Sequence, residues 1–203
     1  MNRLVAIMAA AGLMAAAPLL AADAAPKVDE AKLAACFGCH GADGNAPAPA
    51  FPKLAGQYPE YLAKQMADFK SGARKGTVMP GMVAILATPE EVKGAAAFFA
   101  AKAPNAGASA DAAKAAKGAR LYRGGNIASG VAACSACHGP AGAGIPAQYP
   151  RLAGQHAMYV TGELKKFRSG ERANDPNNMM QAIAKKMSDE EIDAVAEYIA
   201  GLK

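Results

Sequence analysis

Two short stretches hold the side chains best suited to chemistry. Cys36-Phe37-Gly38-Cys39-His40 and Cys134-Ser135-Ala136-Cys137-His138 each set two thiols around a two-residue gap and put a histidine directly behind the second. Disulfides suit an exported chain, but this is a redox-active spacing, and a structural bridge has no use for the histidine. A closed zinc site needs four protein ligands, whereas each stretch brings three and no fourth recurs beside both. Covalent attachment of a c-type haem uses every residue. The two thiols add to the vinyl groups on one edge of the porphyrin, one helical turn spans that edge, and the histidine falls under the iron as fifth ligand. Two covalently bound haem c groups are therefore expected, with Cys36, Cys39, Cys134 and Cys137 as thioether carriers and His40 and His138 on the irons.

The stretches belong to a duplication. Shifting residues 51–74 by 98 lays FPKLAGQYPEYLAKQMADFKSGAR on YPRLAGQHAMYVTGELKKFRSGER with ten identities in 24 positions, and the same shift superposes the two Cys-x-x-Cys-His sets. Further on the shift grows to about 100, where TPEEV at Thr88 meets SDEEI at Ser188. Two copies of one unit follow, expected over residues 26–104 and 112–203, with the small-residue segment 105–111 as linker.

Elimination narrows the sixth ligand. Of three histidines, two are committed, and His156 aligns with Tyr58, so a scheme shared by both copies cannot use it. A polar or surface role is expected for it instead. Methionine remains, and Met66, Met158 and Met187 sit at helical spacing that reads as core filling. Met79 lies seven residues before Leu86 and Met180 seven before Met187, each just upstream of a helix start. Pro80 stiffens the backbone after Met79, as a ligand-presenting loop requires. Met82 and Met179 are the neighbouring alternatives. A thioether favours ferrous iron, so His/Met ligation raises the potential. Pro52 and Pro150 each lie twelve residues after a motif histidine; their carbonyls could accept the ring N–H of that histidine, the alternative being prolines that only shape the loop.

The elements that must position these residues are helical. Thr88-Pro89-Glu90-Glu91 and Ser188-Asp189-Glu190-Glu191 read as capping boxes, with Pro89 at the first helical position. The helices they open bury Val92, Ala96 and Phe99, or Ile192, Val195 and Ile199. A middle helix is expected over residues 60–70, burying a face with Tyr61, Leu62, Gln65, Met66 and Phe69, with its copy ending at Phe167. First helices lead into each motif, over residues 28–35 and 111–122. No stretch alternates like a sheet. Three short helices without a tryptophan bury little on their own, so a haem must fill each core.

The chain opens with Arg3, an apolar run over residues 4–17 and small residues at 22–25, the pattern of a secretory signal peptide over residues 1–25. Export to the periplasm is the expectation, with no other segment able to span a bilayer. The formal charge of +5 is interspersed, with no basic run interleaved with aromatics, which argues against nucleic acid.

CFGCHGADGNAPAPAFPKLAGQ and CSACHGPAGAGIPAQYPRLAGQH, followed by MPGMVAIL and MMQAIAKKMSDEEI, resemble the two halves of the cytochrome c4 family across essentially the whole mature chain. The resemblance implies an all-α fold of two tandem class I cytochrome c domains, each wrapped around one covalent haem, with propionate edges facing across the interface. Carried over to these positions, it implies axial pairs His40 with Met79 and His138 with Met180. It also implies periplasmic electron transfer, from a cytochrome bc-type complex or a dehydrogenase toward a haem-copper terminal oxidase, sometimes at the membrane face. The first copy reads LATPEEV where the second reads KMSDEEI, one residue longer after Leu86, and this bears on Met79 against Met82. No nucleophile set, phosphate loop or spare histidine pair accompanies the motifs. The expected function is therefore an electron carrier rather than an enzyme. A dihaem subunit of a flavin-dependent dehydrogenase and a dihaem peroxidase are the alternatives.

Overall fold

Asp29 and Asp111 start the two halves in the same way, each side-chain carboxylate accepting from backbone N–H groups of the first helical turn, as N-caps do. The computed structural model describes residues 28–203; the expected signal peptide at 1–25 lies outside the described residues. The first unit holds α1 (Glu30–His40), α2 (Pro59–Ser71), α3 (Met79–Ala84) and α4 (Pro89–Ala100). The second holds α5 (Ala112–Gly124), α6 (Ser135–His138), α7 (Ala157–Ser169), α8 (Met179–Ala184) and α9 (Asp189–Gly201). Among the described residues β-pairing is confined to three isolated bridges.

Both capping boxes form, at Thr88 with Glu91 and at Ser188 with Glu191. The helices they open bury the expected faces: Val92, Ala96 and Phe99 in α4, and Ile192, Val195 and Ile199 in α9. Each of the larger side chains contributes about 1.5–3 kcal/mol on leaving water. The structure differs locally from these expectations. In the first unit the helix runs on through Cys36 and Cys39 to His40, beyond the expected end at residue 35. In the second, α5 stops at Gly124, and a hairpin loop separates it from α6, the single turn that carries Cys137 and His138. The short helices α3 and α8 were not foreseen, and Met79 begins a helix instead of lying in a loop. Pro80, at a first-turn position where the missing N–H costs nothing, favours that start. Helices α5 and α9 approach so closely at Gly118 that a Cβ there would sit 1.9 Å from the Ala194 carbonyl oxygen.

The halves meet about a pseudo-twofold axis. Arg74 and Arg172, equivalent by the shift of 98, pair antiparallel. Their guanidiniums close a ring: Arg74 donates to Gln65 at 2.8 Å and Glu163 at 2.8 Å, and Arg172 to Glu163 at 2.7 Å and Gln65 at 3.0 Å. Tyr159 and Tyr61 accept from the outer nitrogens, each at 3.1 Å. A second pairing is reciprocal. The Gln155 amide bonds the backbone of Lys53 in both directions, at 3.0 and 2.9 Å, and the Gln57 amide does the same for Arg151, at 2.9 and 3.0 Å. Tyr58 Oη donates to the Ala143 carbonyl at 2.9 Å, and His156 Nε2 to that of Ala46 at 2.8 Å. His156 thus has the polar role expected of it, as an interface contact. The segment between α4 and α5 is tied to both halves, through Asn105 to Asn45 and through Ser109 to Glu197.

Candidate haem-iron centres

Each motif histidine is delivered by the last turn of a helix and released by a glycine of positive φ, Gly41 at +79° and Gly139 at +76°. Both imidazoles are 6% exposed. His40 Nδ1 lies 2.9 Å from the Pro52 carbonyl oxygen, and His138 Nδ1 lies 2.9 Å from that of Pro150. A carbonyl can only accept, so the proton sits on Nδ1, and the Nε2 lone pair faces away from the backbone in ligand-ready form. Burial pulls both imidazoles below their ordinary pKa, with the carbonyls partly opposing. Phe51 and Tyr149, one residue before each proline, stand edge-on to the rings at 6.4 and 6.2 Å.

The four thiols are half-buried and unlinked. Burial pushes the Cys134 thiol up to about 11, and burial followed by the neighbouring Cys39 raises Cys36. Among the described residues no group of three or more His, Cys, Asp or Glu side chains converges to hold an ion directly. Two half-buried thiols on one turn, beside a buried histidine with its Nδ1 locked, fit the donor set of a covalently tethered haem. Each protein core is also small. Among the described residues, the main apolar cluster of the first unit comprises seven buried residues around Leu33, Leu86 and Phe99.

The methionines are fixed in register by what surrounds them. Lys70 caps the Leu86 carbonyl, and Arg168, its equivalent, caps the Met187 carbonyl. Val83 and Leu86 are buried in the first unit, as Ala184 and Met187 are in the second. Across this segment the offset is therefore 101, which sets Met79 opposite Met180 and Val78 opposite Met179. The extra residue, Ala87, falls between Leu86 and the capping box. Tyr149 Oη points at Met179 Sδ from 3.9 Å, while the first unit has Phe51 and Val78 at those two places. Met180 packs against the second core. Met187 is core filling as expected, 4% exposed, and Met66 packs against the first core. Met158 is not: it is 60% exposed, because Val160 and Leu164 supply the buried face of α7 instead.

Two regions match the cytochrome c family, residues 29–101 and 115–203. Cytochrome c4 of Pseudomonas aeruginosa is 49% identical over 175 residues, covering 85% of this chain and 86% of that one. The chain is a member of the cytochrome c4 family. The crystal structure of reduced recombinant cytochrome c4 from Pseudomonas stutzeri superposes with a TM-score of 0.82 at 42% identity, covering 86% of this chain and 96% of that one. A thiosulfate dehydrogenase electron acceptor of Stutzerimonas stutzeri is 45% identical over 170 residues, 83% of this chain and 79% of that protein. Like the cytochrome c4 family at large, the chain is all-α, carries two covalent haem c groups, and transfers electrons between redox partners.

Sequence reasoning missed the interface ring. Its signal was present in the copies: Tyr61 and Tyr159 on α2 and α7, and Arg74 and Arg172 just past the ends of those helices, are identical polar residues at equivalent places.

Proposed function

We propose that this chain is a periplasmic dihaem electron carrier of a respiratory chain, made of units 26–104 and 112–203 joined by 105–111. Cys36 and Cys39 tether one haem and Cys134 and Cys137 the other. His40 with Met79, and His138 with Met180, are the axial ligands. The observation that carries this reading is the pair of matched His Nδ1 contacts to proline carbonyls, both 2.9 Å. They fix tautomer and ring direction in both units before any ligand binds. The common offset of 101 supports Met79 with Met180 over Met82 and Met179, and Tyr149 already engages the Met179 sulfur. When bound, each haem supplies a one-electron couple.

The protein's own part is to hold the imidazoles neutral, to exclude water with Leu33, Leu86 and Phe99 or with Tyr122, Val131 and Ile192, and to clamp the two units together. Electrons would arrive from a cytochrome bc-type complex or dehydrogenase and leave to a haem-copper oxidase. Among the described residues no helix is long and apolar enough to cross a membrane. A spectroscopic redox titration of the purified holoprotein tests the reading. It should show two low-spin centres, each with a methionine-to-ferric charge-transfer band. A high-spin centre in the oxidised or half-reduced protein would favour the peroxidase alternative.

The 45%-identical electron acceptor of thiosulfate dehydrogenase supports a more specific reading, in which the donor is an enzyme oxidising a small sulfur anion. Reduction of the holoprotein by purified thiosulfate dehydrogenase with thiosulfate, at a rate far above that with either alone, is the expected result; no acceleration would discard this donor.

A further inference from the structure

Among the described residues the second unit presents a hairpin between α5 and α6 where α1 of the first unit runs unbroken through its motif. Asn126 and Val131 pair antiparallel at 2.8 and 2.9 Å, Gly130 closes the turn onto the Ile127 carbonyl at 3.2 Å, and the Asn126 side chain caps Ala128 at 3.0 Å. Asn126 also donates to Glu191 at 2.7 Å, and Lys186 Nζ to the Gly130 carbonyl at 3.1 Å. Val131 anchors the hairpin at 3% exposure, and this clamp holds Ile127 at the tip, 96% exposed.

Single exposed apolar side chains are ordinary on protein surfaces. An isoleucine held nearly bare on a rigid, hydrogen-bonded tip is not, since Val131 alone supplies the packing of the hairpin and the Ile127 side chain adds none. The place is informative too. Val131 precedes the motif thiol Cys134 by three residues, while Lys186 lies six residues after Met180. The Lys186–Gly130 bond therefore joins the cysteine side of the second centre to its methionine side. With the offset of 101, Ala84 and Ile85 of the first unit correspond to Lys185 and Lys186, all four exposed. One end is thus apolar where the other is dibasic. Beside the hairpin base opens a cavity of about 280 Å³ lined by Lys117, Arg120, Asn126 and Glu190 among others.

We infer that Ile127, with Lys185 and Lys186, is the docking face of the second unit for a redox protein whose contact surface is an apolar pocket rimmed by carboxylates. The lysines steer the encounter and set its salt dependence, while Ile127 supplies the apolar contact that seats it. Docking is then specific to one end, and electrons cross between this protein and that partner through the second unit. The inference rests on the electron-carrier reading above.

The test uses holoprotein with Ile127→Ser, a bare tip whose loss leaves the clamp intact, and with Lys185→Glu. Stopped-flow rates are measured against two protein partners, thiosulfate dehydrogenase with thiosulfate and vesicles bearing a haem-copper oxidase, and against ferricyanide. Ile127→Ser should slow one or both protein reactions about tenfold while leaving the ferricyanide rate and both reduction potentials unchanged. Lys185→Glu should slow the same reaction and flatten its dependence on ionic strength. Rates unchanged with both partners overturn the docking face. So does Ile127-dependent binding to anionic lipid vesicles without oxidase, or Ile127-dependent dimerisation in sedimentation. If wild-type protein reacts with neither partner, the electron-carrier reading fails instead.

Discussion

Replacing Glu163 by glutamine isolates the charge that holds the halves together. The carboxylate lies 2.8 Å from Arg74 Nη2 and 2.7 Å from Arg172 Nη1, all three side chains being 8–11% exposed. At an effective dielectric of about 20, each contact has roughly 6 kcal/mol of gross attraction, most of it offset by desolvation. Glu163→Gln keeps the shape and an acceptor but leaves two buried guanidiniums with no carboxylate between them. Breaking a buried pair in this way costs about 3–5 kcal/mol, and the retained acceptor places this case near 3. Denaturation of the ferric holoprotein, followed in the far ultraviolet and at the Soret band, should then show an earlier transition in which the units separate. The symmetry supplies a rescue. Gln65 occupies the equivalent place and accepts from the same two arginines, so Gln65→Glu with Glu163→Gln should recover most of the loss, Asp68 near Asn174 taking back a part. A single variant within 1 kcal/mol of wild type, or a double variant weaker than the single, refutes the account. The pH dependence has a definite sign. Burial pushes the Glu163 carboxyl up, but Arg74 and Arg172, with Lys166, hold it below the usual range. A depressed carboxylate stabilises fully above its unfolded pKa, about 4.3, and the contribution disappears as pH falls through the folded value. Wild type should therefore lose interface stability on acidification more steeply than Glu163→Gln.

Other substitutions test the centres and their supports. Met79→Ala and Met180→Ala should each remove about half of the methionine-to-ferric charge-transfer absorbance, with Met82→Ala and Met179→Ala leaving it in place; the reverse would break the register. His156→Ala should leave both haem spectra unchanged and weaken only the contact to Ala46, as seen in the denaturation profile. Gly118→Ala, forced against the Ala194 carbonyl, should destabilise the second unit by about 1–3 kcal/mol, shifting one of two Soret transitions and not the other. Ser188→Ala should cost about 1 kcal/mol through the lost cap, read from the same second-unit transition.

What could be read directly from the sequence was local or repeated. The capping boxes, the motif turns and the twelve-residue spacing from His40 to Pro52 each rest on short-range chemistry, and the second copy doubled every such signal. Met79 against Met82 depended on a one-residue length difference; the packing of Leu86 and Met187 under Lys70 and Arg168 gives the register of the two copies and supports Met79. The hairpin at Asn126 and the ring around Glu163 were illegible for another reason. Arg74 meets Glu163 from 89 residues away, and no periodicity reports a pairing between units. Met158 was misread because helical spacing identifies two possible faces of α7 and not which one is covered.

The Gln65–Glu163 position bears on ancestry. Contacts such as Gln57 to Arg151 mirrored by Gln155 to Lys53 are isologous, the kind by which two identical chains form a closed pair. In such a homodimer every residue appears twice, so the two arginines face either two carboxylates or none. Fusion into one polypeptide removes that constraint and allows a lone acid to serve both arginines, a stoichiometry closed to any symmetric assembly. The same freedom let one end acquire Ile127 while the other did not, turning a palindromic object into one with a front and a back.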